Sequence, residues 1–180
     1  PYIGKDFLQE YEFTAGIALD EKTPSTVELQ LAGSTERPAI SGDWIPLSYS
    51  KNGKFNQAPM VFAGYGISAP QAGAQPAYDA YAGLDVKDKW VVVFAGLPDE
   101  ISNERRFFLH SYSRLQHKAM VARNHGAYGL IVVEDSASPA APMRLIFEGR
   151  NEDAGIPVLR LSQATADKIF ASADTSRKEW

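Results

Sequence analysis

A chain of 180 residues, 44% hydrophobic and 22% charged, with a formal net charge of −4, has the size and composition of one globular domain. The acid excess argues against nucleic acid as a partner, because phosphate binding needs clustered cations. The absence of cysteine removes disulfides, thiolate nucleophiles and cysteine-type zinc sites together.

No apolar run approaches the roughly 20 residues that a membrane span needs, so no membrane span is expected. The chain begins Pro-Tyr-Ile, which fits a mature exported protein or an excised fragment. Tyr11 to Leu19 is rich in strand formers, and Ser25 to Leu31 alternates through Val27, Leu29 and Leu31, so both predict strands. Gly33 to Asp43 predicts a loop. Ile45, Leu47 and Tyr49 alternate with smaller or polar residues. Asn52-Gly53 follows, a strong hairpin signal, with Ala58 to Gly64 as the returning strand. Ser68 to Gly83, broken by Pro70, Gly73 and Pro76, predicts a long loop.

The centre of the chain is more sharply patterned. Trp90-Val91-Val92-Val93-Phe94-Ala95 is a continuous apolar run, and so is Gly129-Leu130-Ile131-Val132-Val133. Such runs are strands buried on both faces. Between them Tyr112, Leu115, Ala119 and Ala122 recur at helical spacing, which predicts a helix from Ser111 or Ser113 to about His125, closed by Gly126. Strand, helix, strand is a βαβ unit with parallel strands. The stretch Leu97 to His110 before that helix is longer than a simple connection and carries Arg105-Arg106-Phe107-Phe108. Loops of that length are usually functional or disordered, and its apolar content argues against disorder. A short strand near Met143–Phe147, another at Ile156–Leu159, and a last helix capped by Ser162 complete the chain.

Motif by motif, catalysis finds no support. Gly64-Tyr65-Gly66-Ile67-Ser68-Ala69 matches the dinucleotide fingerprint, but Pro70 follows where a helix N-terminus is required. The glycines predict a bend at a strand end instead. Ser48-Tyr49-Ser50-Lys51 spells the serine–lysine acylase motif, but on a predicted strand the two side chains point to opposite faces. His117 and His125 stand roughly 12 Å apart on the expected helix, too far to share a metal. No G-x-S-x-G nucleophile elbow occurs. The acidic pairs Asp99-Glu100 and Glu134-Asp135, and Asn151-Glu152-Asp153, lack EF-hand spacing and suit solvated turns.

Several short segments share a family pattern in order and spacing. They are Met60-Val-Phe-Ala-Gly-Tyr-Gly-Ile67, Tyr81-Ala-Gly-Leu-Asp-Val-Lys-Asp-Lys89 with the strand after it, Ser111-Tyr-Ser-Arg-Leu-Gln-His-Lys-Ala119, Ala122-Arg-Asn-His-Gly-Ala127, Leu130–Val133 and Ile156–Leu159. From about 58 to 170 the chain resembles the protease-associated (PA) domain, as inserted in secreted zinc aminopeptidases of the transferrin-receptor/glutamate-carboxypeptidase-like clan. It departs from that pattern at Ala80, where the family often has Asp, and at Asp88, where it often has Gly.

The resemblance implies a mixed α/β fold: a PA-type swivelling β/β/α domain, an open β-barrel or sandwich flanked by helices. Residues 1–57 form a β-rich lead-in packed on the same domain, and 58–180 form the PA core. The implied function is a non-catalytic accessory domain, a lid or substrate gate, of a secreted or periplasmic (cell-envelope) zinc metallopeptidase. Its partners are the catalytic domain of the same polypeptide and peptide substrate. No cofactor is expected in this chain, and zinc only in the separate catalytic domain. A free-standing peptide- or protein-binding PA module is the alternative, and a small hydrolase in its own right a weaker one. In the resembling peptidases the edge after the core strand overhangs the catalytic cleft. Arg105, Arg106, Phe107, Phe108, His110 and Tyr112 are therefore the candidate partner- or substrate-facing residues.

Overall fold

The computed structural model describes residues 16–135, 138–147 and 153–179. In chain order its strands begin with β1 (Leu29–Leu31), β2 (Ser34–Glu36), β3 (Trp44–Pro46) and β4 (Met60–Phe62). The short pair β5 (Ser68–Ala69) and β6 (Tyr78–Asp79) precedes β7 (Trp90–Phe94). Two helices follow, α1 (Asn103–His110) and α2 (Leu115–Asn124), then β8 (Gly129–Val133), β9 (Val158–Leu161) and α3 (Gln163–Ser172).

Five strands form one open mixed sheet in the order β3-β9-β8-β7-β4. The two apolar runs sit at its centre. They are parallel neighbours, with Val92 opposite Ile131 and Phe94 opposite Val133. Alternate residues divide between two cores, as strand geometry requires. Val91, Val93, Leu130, Val132 and Val158 face Ala119 and Ala122 of α2. Val92, Phe94, Ile131, Val133 and Leu161 face Ala166, Ile169 and Phe170 of α3, with Leu29 and Trp44 of the lead-in in the same cluster. Helices thus cover both faces, which is why the central strands are apolar throughout. The sheet ends at β3 and β4 and does not close into a barrel.

Caps behave as the sequence predicts at two places. Ser162 adopts an extended conformation and its hydroxyl accepts from the Thr165 N–H, starting α3. Gly126 closes α2 with φ +80°. Asp88 takes φ +56° in the turn before β7, a left-handed conformation that Asp tolerates better than most residues.

Other expectations are corrected. No hairpin forms at Asn52-Gly53: β3 pairs antiparallel with β9 and β4 pairs parallel with β7, at opposite edges of the sheet. The local turn signal loses to long-range partners that bury Trp44 and Ile45. Part of the Gly33–Asp43 loop is strand β2, which closes a hairpin on β1 through Gly33 at φ +84°. The Ser68–Gly83 loop contains the β5–β6 pair. Residues 143–147 form no strand, nor do residues 16–19, and residues 11–15 lie outside the described ones. The stretch before the long helix is itself half helical. Ser102 caps α1 by accepting from the Arg105 N–H at 3.2 Å, and Leu109 turns fully inward. Helix α2 then starts at Leu115 without a side-chain cap.

Candidate functional site

In open α/β sheets ligands favour the crevice outside the carboxyl ends of the parallel strands. Here that edge is occupied by the protein's own cations. Lys118, fully buried on α2, donates its ammonium to the carbonyls of Phe94 (2.7 Å), Ala95 (2.9 Å) and Gly96 (2.8 Å), where β7 ends. The Tyr65 ring centroid lies 5.9 Å from Nζ. Burial pulls the Lys118 pKa down to about 7, while the neighbouring Glu134 carboxylate works to raise it. The three carbonyls accept from the charged form and favour it further. At the end of β8, Arg177 donates to the Glu134 and Asp135 carbonyls and pairs with Asp167 at 2.6 Å. Glu134 also faces Arg160 at 3.4 Å, and its pKa is raised, chiefly by burial.

Beyond β7 the chain stays tied to cations. Arg106 on α1 reaches back to the carbonyls of Pro98 (3.1 Å) and Asp99 (3.0 Å). Five carbonyls between Phe94 and Asp99 are therefore held by two side chains, Lys118 and Arg106. This link sets where α1 lies. Under α1 is a small apolar cluster of Ile67, Ala69 and Leu109, bordered by Leu97, Ile101, Phe108 and Tyr112.

All six candidate residues lie on α1 or just after it. Arg105 donates to the Pro76 and Ala77 carbonyls and sits over the Phe108 and Tyr78 rings, 5.3 and 5.9 Å from their centroids. Arg105 and Arg106 are thus turned onto backbone of their own domain. Phe108 and Tyr112 are half-buried and in contact, with ring centroids 5.5 Å apart. Phe107 and His110 face solvent, and Phe107 is 84% exposed, far more than any other large hydrophobic residue described. An open cleft of about 630 Å³ runs along this helix. Glu104, Phe107 and Phe108 line it with the following Ser111 and Tyr112, and Gln75 stands opposite.

The remaining motifs keep structural roles. Gly64 and Gly66 have φ of +51° and +60° and make the bend after β4. His125 donates from Nδ1 to the Val121 carbonyl at 2.9 Å and stacks on Tyr81 at 4.4 Å. His117 is packed against Tyr112, with ring centroids 5.5 Å apart. Among the described residues no three His, Asp or Glu side chains come together as metal ligands. No described helix is long and apolar enough to cross a membrane.

Lys118 is the residue that sequence reasoning missed. Its position between Leu115 and Ala119/Ala122 on the helix's inward arc was the available signal, since a lysine there must bury its charge or break the face.

The described residues thus form an open, helix-covered mixed sheet whose central strand ends are closed by the protein's own lysine and arginine, with a cleft along an outer helix. The family model for the PA domain matches residues 56–169, and the chain belongs to that family. Among solved structures, an aminopeptidase from Aneurinibacillus sp. strain AM-1 aligns with a TM-score of 0.48 and 17% identity, over 77% of this chain. The chain spans 26% of that one. No curated protein matches the chain.

Proposed function

We propose that this chain is a non-catalytic accessory domain of a secreted zinc metallopeptidase, borne on the same polypeptide as the catalytic domain, and that its α1 edge gates access of peptide substrate. Membership of the PA family over residues 56–169 carries the reading. The family resemblance of the same region supplies the peptidase context. The cleft along α1 and the exposed Phe107 ring give the edge a surface of the kind found at binding hot spots, where aromatic anchors dominate.

Two measurements test it. The isolated chain, assayed on aminoacyl-nitroanilides with and without zinc, is expected to show no turnover. Activity that survives repurification and disappears on mutating a residue of this chain would overturn the accessory reading. In the parent enzyme, Phe107→Ala is expected to lower kcat/KM on peptides by about fivefold or more, the equivalent of about 1 kcal/mol of transition-state binding. Unchanged kinetics on short and long peptides alike would overturn the gating role.

A further inference from the structure

We infer that the α1 cleft binds a basic peptide segment, a lysine or arginine side chain laid along Phe107 with its charge at Glu104. This deepens the substrate-gating reading and rests on it for the claim that the occupant is peptide. Three observations carry the chemistry. First, Glu104 is the one charged side chain among the described residues that line the cleft. Glu100, exposed, precedes α1. Second, the two neighbouring arginines are held on the domain's own groups at the margin of the cleft: Arg105 on the Pro76 and Ala77 carbonyls, with Gln75 Oε1 at 3.5 Å, and Arg106 on the Pro98 and Asp99 carbonyls, with the Asp99 carboxylate 3.9 Å away. Third, Phe107 and Tyr112 add aromatic rings to the same wall. An aromatic face attracts a cation, and the alkyl stem of lysine or arginine covers apolar surface while its charged end stays hydrated. Glu104 precedes Phe107 by three residues and Phe108 by four, so acid and rings share one face of the helix. An acidic peptide would meet the Glu104 carboxylate with like charge. A purely apolar one would leave that carboxylate without a partner.

The surface is also set in place before binding. Five carbonyls of the Phe94–Asp99 link are tied by Lys118 and Arg106, and Arg105 fastens the other side of the helix. A site held in this way loses little freedom when it is filled.

The test uses the 180-residue chain, labelled with ¹⁵N, and three end-capped pentapeptides: Ala-Lys-Phe-Lys-Ala, Ala-Glu-Phe-Glu-Ala and Ala-Ala-Phe-Ala-Ala. The basic peptide is expected to shift amide signals of residues 103–112 and of Gln75, and to bind more tightly than the neutral one. The acidic peptide is expected to leave those signals unmoved. Glu104→Gln should weaken the basic peptide by about fivefold and bring it level with the neutral one, in line with one partly exposed ion pair. Phe107→Ala should weaken both. Added salt should weaken the basic peptide alone. Equal binding of all three peptides, insensitivity to Glu104→Gln, or shifts confined to another surface would overturn the proposal. Because the readout is binding to the chain itself, intact basic-peptide binding alongside unaltered peptidase kinetics would overturn gating and leave this site standing.

Discussion

Lys118 Nζ lies 2.7 Å from the carbonyl oxygen of Phe94, 24 residues earlier in the chain, and the same ammonium also serves Ala95 and Gly96. The contact joins α2 to the end of β7, and Lys118 itself has no exposure to solvent. Lys118→Met keeps the apolar stem and removes the ammonium from the buried Phe94 carbonyl and the part-buried Ala95 and Gly96 carbonyls. Each hydrogen bond to a charged group is worth about 1.5–3 kcal/mol, but the ammonium also carries a desolvation cost that methionine avoids. A net loss of about 3 kcal/mol is expected in a denaturant melt. A change below about 0.5 kcal/mol would mean that the strand end needs no such tie.

Gly66 stands where the chain bends after β4, at φ +60°. A Cβ there would lie 2.5 Å from Cγ1 of Val93, a core residue with no solvent exposure. Gly66→Ala therefore combines a left-handed backbone, about 1–2 kcal/mol for a residue with a Cβ, with overpacking of about 1–3 kcal/mol. The expected loss is about 3 kcal/mol by urea melt. This glycine is one of those that spell the dinucleotide fingerprint, and its requirement is packing against β7. An alanine variant as stable as the parent would show that the bend tolerates a side chain.

What the sequence made legible and what it hid follow from the range of the forces involved. The runs Trp90–Phe94 and Gly129–Val133 and the capping serine Ser162 depend on burial and on neighbours within a turn, so their own residues declare them. The pairing of β3 with β9 depends on contacts more than 100 residues apart, such as Trp44 opposite Leu161. Nothing local to Asn52-Gly53 reports that competition. Helix α1 was hidden by Pro98 and the charges around it, although Ser102 and the Ile101, Phe108 and Leu109 spacing were visible. The candidate residues fell on one short helix. The division between those turned inward and those left free required the positions of Pro76, Ala77, Pro98 and Asp99 in space.

Tyr81 gives the chain a defined alkaline weakness. It is buried, and among the described residues its hydroxyl has no hydrogen-bond partner. Its pKa is raised, first by burial and then by Asp79. Above about pH 10 an unfolded tyrosine gives up its proton while the folded one keeps it. The folded state then binds more protons, so stability falls as pH rises; below pH 10 both states hold the proton and this group adds no slope. Tyr65, pushed up to about 12 mainly by burial, and Tyr78, also raised by burial, act in the same direction. Tyr81→Phe keeps the ring on His125 and removes the orphan hydroxyl. It is expected to be neutral or to stabilise by up to about 1 kcal/mol at pH 7. Its advantage over the parent should widen above pH 10, measured as the difference in urea midpoint. A constant difference from pH 7 to 11 would show that the phenol titrates alike in both states.

Arg105 and Phe107 are two residues apart on α1 and face different tasks. The Arg105 guanidinium rests over Phe108 and Tyr78 and donates to the Pro76 and Ala77 carbonyls. Arg105→Ala removes charge-assisted hydrogen bonds and the stem that covers the rings, and should cost about 1–2 kcal/mol of stability. Phe107 is 84% exposed, so Phe107→Ala should change stability by less than about 0.5 kcal/mol. Denaturant melts of the two variants, side by side, decide the matter. The distinction governs how any kinetic effect is read. A loss of kcat/KM in Arg105→Ala can arise because α1 has shifted, since the residue ties the helix to residues 76–77. The same loss in Phe107→Ala, with the melt unchanged, has no such route and reports contact with what binds at the cleft. If Phe107→Ala destabilises the chain as much as Arg105→Ala does, the ring is part of the domain's own packing and the α1 edge loses its free aromatic anchor.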